Sequence, residues 1–205
     1  MITLLVILLY DIASYAKCII FFTGGSNLMP LSIYSEFLDP IKQIYPVYNI
    51  PLTNNNINKK LNILNKKYDS IIFLGHSSGC TTAINNCNNN INKLILLDPV
   101  KTPYYNNKDM NFLDNVLIIN AEKSYKWNLL PPFIPFIPLF KINYNDLIID
   151  KNKIKVITIK NFGHCDIINR PWRDIMHYTR ISLGNNNRDN ITISGYHNLI
   201  KEYIS

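Results

Sequence analysis

Ser77 lies in Gly75-His76-Ser77-Ser78-Gly79, directly after the apolar run Ser70-Ile71-Ile72-Phe73-Leu74 and ahead of a helix-like segment that begins at Thr81. A strand, a sharp turn and a helix in that order are the context a G-x-S-x-G nucleophile elbow requires. The serine at the tip is held in strained backbone geometry, and the flanking glycines leave room for strand and helix to approach. A hydroxyl is a poor nucleophile at neutral pH until a base takes its proton. The base is most often an imidazole, and a carboxylate must hold its tautomer and stabilise the imidazolium.

Four histidines are available. His164 follows the apolar run Lys155-Val156-Ile157-Thr158-Ile159 at the end of the fold where a base is expected, next to Gly163. His76 is inside the elbow and is expected to point away from Ser77, and His177 and His197 fall in helix-like segments. Two acids end strands and precede the histidine, as the order serine, acid, histidine demands: Asp98, after Lys93-Leu94-Ile95-Leu96-Leu97 and before Pro99, and Glu122, beside Lys123. Asp166, two residues from His164, reads better as a loop cap. Acyl transfer also needs preorganised N–H donors for a tetrahedral oxyanion. Ser78 supplies one through its backbone. The second is expected from the loop of small residues Thr23-Gly24-Gly25-Ser26-Asn27, with Gly25 preferred to Gly24.

The elements that must carry these residues alternate. Apolar runs predict strands at 18–22, 45–50, 70–74, 93–97, 115–119 and 155–159. Between them, helical spacing predicts helices over 31–44, which Pro40 must end or kink, from the capping residues 53–55 through Tyr68, and over 81–87; two more close the chain at 171–182 and 193–204, around a polar linker 184–190. Alternation of this kind implies an α/β fold with a mostly parallel twisted sheet and helices on both faces. No repeat or internal boundary is apparent, so residues 1–205 are expected to form one domain. The segment Pro131-Pro132-Phe133-Ile134-Pro135-Phe136-Ile137-Pro138-Leu139-Phe140 has too many prolines for a helix or a central strand. Its apolar character and its place between the last two strands suggest a wall of a substrate pocket, with Pro132, Phe133 and Phe136 as lining residues.

With 47% hydrophobic and 17% charged residues the chain can bury a sizeable core. The net charge of +7 comes from scattered residues such as Lys59-Lys60 and Lys66-Lys67, and no nucleic-acid-binding motif accompanies it. Nucleic acid is therefore not an expected partner, although basic faces leave a weak membrane-surface contact open. Cys18, Cys80, Cys87 and Cys165 show no C-x-x-C spacing and read as free thiols in a reducing, cytoplasmic compartment. No spacing suits a metal, and the chemistry above needs no cofactor. The apolar start, 1–10, resembles a signal-peptide core but has no preceding positive charge, and Asp11 ends it well short of the ~20 residues of a membrane span; a buried strand is the preferred reading.

Taken together these residues resemble the α/β-hydrolase fold, and within it chlorophyllase and its small lipase-like esterase relatives. The likeness runs through 15–24, the elbow, Leu97-Asp98-Pro99-Val100, Pro131-Pro132 and Phe162-Gly163-His164-Cys165-Asp166. By position, the resemblance implies a triad of Ser77, Asp98 and His164, and so favours Asp98 over Glu122. It implies hydrolysis of an ester with a hydrophobic part through an acyl-enzyme, with at most a minimal lid. Thr23-Gly24 stands where the family usually has His-Gly, and Ser78 where arginine is common, so the resemblance does not fix the ester. Acyl transfer to an alcohol, and an inactive hydrolase scaffold that binds an apolar ligand, are the alternatives.

Overall fold

Alternate residues along each strand face opposite sides of the sheet, and here both sides are apolar, as a sheet covered on both faces requires. The computed structural model describes residues 17–50, 56–126, 141–178 and 190–205. Among the described residues six strands, β1 (Lys17–Phe22), β2 (Val47–Tyr48), β3 (Ser70–His76), β4 (Lys93–Leu97), β5 (Asn115–Ala121) and β6 (Ile154–Ile159), form one sheet in the order β2-β1-β3-β4-β5-β6. Every adjacent pair is parallel. Helices α1 (Gly24–Asn27), α2 (Ser35–Lys42), α3 (Asn56–Asn65), α4 (Gly79–Asn86), α5 (Trp172–Tyr178) and α6 (Asn190–Ile204) accompany it.

Cys18, Ile20, Phe22, Ile71, Phe73, Leu94 and Leu96 pack on one face against Leu61 and Leu64 of α3 and Ala83 and Ile84 of α4. Their neighbours in sequence, Ile19, Phe21, Ile72, Leu74, Ile95 and Leu97, pack on the other against Phe37, Leu38 and Ile41 of α2 and Tyr196, Ile200 and Ile204 of α6. Basic residues at the amino ends of strands serve this packing. Lys17 Nζ donates to the carbonyls of Ile204 and Ser205, and Lys93 Nζ to that of Tyr203, satisfying the last carbonyls of α6.

The chain runs from β1 out to the edge strand β2 and then crosses back to β3 on the far side of β1. The connections after β1 and β3 therefore diverge, and at such a switch point the carboxyl ends of parallel strands open a crevice. The turn Gly24-Gly25 and the elbow sit at those two ends.

Several expectations need correcting. The segment 23–27 is not a loop but leads into the single helical turn α1, because Asn27 Oδ1 folds back to accept from the Thr23 N–H at 2.9 Å. The helix expected over 31–44 is a 3₁₀ turn (Leu31–Tyr34) followed by α2, and Pro40 lies inside α2, which ends two residues later at Lys42. The second strand is two residues long, Val47–Tyr48, rather than spanning 45–50. The reading of 1–10, the caps at 53–55, the pocket segment with Pro132, Phe133 and Phe136, and the linker 184–189 lie outside the described residues.

Candidate active site

Three residues far apart in sequence meet at the carboxyl rim of the sheet. Ser77 follows β3 with φ +57°, and Asp98 follows β4 with φ +44°; both occupy the left-handed region that costs a side-chain-bearing residue on the order of 1–3 kcal/mol. The strain at Ser77 is held by its surroundings. Its N–H donates to Leu97 O at 3.0 Å, and its carbonyl accepts from Cys80 N at 3.0 Å and Val100 N at 3.1 Å. The two elbow glycines permit the turn by their lack of a side chain. A Cβ at Gly79 would stand 2.4 Å from the carbonyl oxygens of Phe22 and Thr23, and one at Gly75 would stand 2.8 Å from Cys80 Cα.

His164 Nε2 lies 2.8 Å from Ser77 Oγ, and His164 Nδ1 makes a short hydrogen bond to Asp98 Oδ2. Relative exposures are 8% for Ser77, 3% for Asp98 and 1% for His164, so water competes little for these contacts. Burial raises the Asp98 carboxyl, but the hydrogen bond and charge of His164, then the Lys141 ammonium and the Ala121 N–H, together hold it below the ordinary carboxylate range. An ionised carboxylate only accepts, so Nδ1 of His164 carries a proton, and in the neutral ring Nε2 is left to accept from the serine hydroxyl. The other oxygen of Asp98, Oδ1, accepts from Ala121 N at 3.0 Å and from Lys141 Nζ at 3.3 Å. The Asp98 N–H donates to Ile119 O at 2.7 Å, which ties the acid to β5.

The structure does not bring Glu122 to the imidazole. Glu122 is exposed, and its Oε2 accepts from the Asn161 N–H at 2.6 Å, where it anchors the turn that leads to His164. The alternative acid of the sequence reading, Glu122, therefore bonds the turn after β6, while the carboxylate on the ring is that of Asp98. Asp166 caps its own loop, Oδ2 accepting from Gly163 N at 2.8 Å. His76 turns from Ser77 toward the His164 main chain, and His197 in α6 bonds Phe37 O at 2.7 Å.

Of the two turn glycines, Gly24 commits its N–H to Tyr34 Oη at 2.9 Å. Gly25, exposed and with φ +61°, and Ser78, the N-cap of α4, are the candidate oxyanion donors by their place at the two turns. Sequence reasoning missed Lys141, which sits beside Asp98 only because residues 141–142 bond back to the Asp98-Pro99-Val100 turn: Lys141 bridges with Val100, and Ile142 N donates to Pro99 O. It also missed the contacts of Tyr34 and His76, which have no local signature. Cys18, Cys80, Cys87 and Cys165 are all buried free thiols. Burial raises the thiol pKa of Cys18 and Cys87 to about 12 and pushes that of Cys80 well above its ordinary value, so these three thiols are protonated and poor nucleophiles.

A parallel sheet of this strand order, with helices on both faces and a left-handed serine at the end of an interior strand, is the α/β-hydrolase fold. No protein-family model and no curated protein matches the sequence. Among solved structures the chain is similar to one reported with LipS and LipT, two metagenome-derived lipolytic enzymes, at 11% identity and a TM-score of 0.48, over 81% of this chain and 92% of that one.

Proposed function

We propose that this chain is a serine carboxylic-ester hydrolase. Ser77 attacks the ester carbonyl while His164 takes its proton at Nε2; Asp98 keeps the ring in register and stabilises the imidazolium. N–H groups of Gly25 and Ser78 hold the oxyanion. His164 then protonates the leaving alkoxide, and water, activated by the same imidazole, releases the acid from the acyl-serine. The observation that carries this reading is the hydrogen-bonded line from Ser77 Oγ through His164 to Asp98, built on a strained elbow.

The finer part of the reading is a chlorophyllase-like or lipase-like preference for an ester with a hydrophobic part. It rests on the composition of 131–140. Turnover of p-nitrophenyl esters is expected to rise with acyl length and to vanish in folded Ser77→Ala protein. Full activity in Ser77→Ala contradicts the mechanism, and a preference for short polar esters contradicts the apolar pocket. Acyl transfer uses the same acyl-serine, and a competing alcohol in the assay separates the two by product.

A further inference from the structure

The histidine inside the elbow faces neither Ser77 nor Asp98 with its ring nitrogens. His76 Nε2 lies 3.0 Å from the main-chain oxygen of His164, and Nδ1 lies 2.9 Å from Tyr34 Oη. Tyr34 is fully buried, and its hydroxyl is also the partner of the Gly24 N–H at 2.9 Å. The rings are held by packing. Phe21 meets Tyr34 edge-on at 5.0 Å, Tyr34 meets His76 edge-on at 5.5 Å, and the His76 and His164 rings lie 4.9 Å apart.

Valence fixes the direction of all three hydrogen bonds. A carbonyl oxygen only accepts, so His76 Nε2 bears the proton. A neutral imidazole has one N–H, so Nδ1 accepts, and Tyr34 must donate its single proton there. The tyrosine oxygen is then left to accept from Gly24. Met29 Sδ, 3.8 Å from the same hydroxyl, is a weak acceptor and does not compete for that proton. Burial first, and the neighbouring His164 second, push the His76 pKa down to about 3, which keeps the ring neutral.

We propose that Tyr34 and His76 are positioning residues: a buried, one-way hydrogen-bond relay runs from Gly24 N–H through the Tyr34 hydroxyl and the His76 ring to the carbonyl of His164, and sets both halves of the site from inside the fold. One half is the turn that carries Gly25; the other is the main chain that carries the His164 imidazole. Reversing the His76 tautomer would set the Nε2 lone pair against the His164 carbonyl oxygen, so the His164 end of the relay fixes its direction. Neither residue touches the reacting atoms. The consequence for turnover rests on the esterase reading, whereas the direction of the relay does not.

Tyr34→Phe removes the hydroxyl alone and strands the Gly24 N–H and His76 Nδ1. In folded protein, kcat and the rate at which a fluorophosphonate labels Ser77 are expected to fall about tenfold or more, with KM changed by less than about threefold, because the loss falls on alignment and not on substrate contacts. Nitrogen-15 NMR of the wild-type imidazoles at neutral pH reads the tautomer without any variant, and His76 is expected to be neutral and protonated at Nε2. A His76 protonated at Nδ1 or at both nitrogens overturns the relay, as does folded Tyr34→Phe that labels at the wild-type rate. If the wild type neither labels nor hydrolyses esters, the esterase reading fails while the NMR result still decides the relay.

Discussion

Asp98 and Glu122 end neighbouring strands, yet only Asp98 reaches the imidazole, and substitution separates their roles. Asp98→Asn keeps the shape but presents an N–H or an uncharged oxygen to Nδ1, and kcat is expected to fall by roughly 10⁴. Glu122→Gln keeps an oxygen for the Asn161 N–H and is expected to stay within about tenfold of wild type. Steady-state hydrolysis of one p-nitrophenyl ester by both variants makes the comparison, and equal losses would contradict the assignment of the acid. The residues of this line were legible because their signals are local: a serine between two glycines, an aspartate held before a proline, a histidine after a glycine and a strand. Tyr34 and Lys141 were not legible. Tyr34 meets His76 across 42 positions, and Lys141 meets Asp98 across 43, and nothing near either residue in sequence marks the contact.

At the scale of elements, the elbow depends on how closely β1, β3 and α4 approach. A methyl group at Gly79 would meet backbone oxygens at the end of β1 that no rotamer change can move. Gly79→Ala is therefore expected to cost about 1–3 kcal/mol or more, read as a lower urea midpoint, and to lose more activity than stability because α1 and Ser77 are displaced together. A variant as stable and active as wild type would show that the approach is looser than described. The strands β3, β4 and β5 were legible as near-continuous apolar runs, since a parallel strand buried on both faces has no polar alternation to confuse. β2 was overdrawn because Pro46 and an edge position leave only Val47 and Tyr48 in register with β1, and hydrophobicity alone does not report a ladder's length. The turn α1 was misread because the Asn27 side chain closes it, and a run of small residues reads as a loop when that return bond is not visible.

Across the whole molecule, burial of polar groups links the site to stability. His76 is held neutral with its pKa lowered from 6.5 to about 3, so below about pH 6.5 the unfolded chain takes up a proton that the folded chain refuses. Stability is then lost as pH falls from about 6.5 toward 3. Asp98, whose folded carboxyl is held below its ordinary value of 3.8, adds to the loss at the acid end of that window. Tyr34 and His164 contact the His76 ring, the Asp98 charge acts on it from nearby, and the thiols of Cys80 and Cys165 lie near Tyr34. Urea midpoints are expected to fall steadily between about pH 6.5 and 4, and less steeply in His76→Asn; a flat wild-type profile would contradict the neutral, buried ring. The proposed chemistry requires Ser77 to be an activated nucleophile, and intact-protein mass spectrometry after treatment with a fluorophosphonate reads that property. The expected result is a single adduct mapped to Ser77, formed readily by the wild type, slowly by Asp98→Asn and not at all by Ser77→Ala. A folded wild-type protein that stays unmodified under conditions that label other serine hydrolases would contradict it.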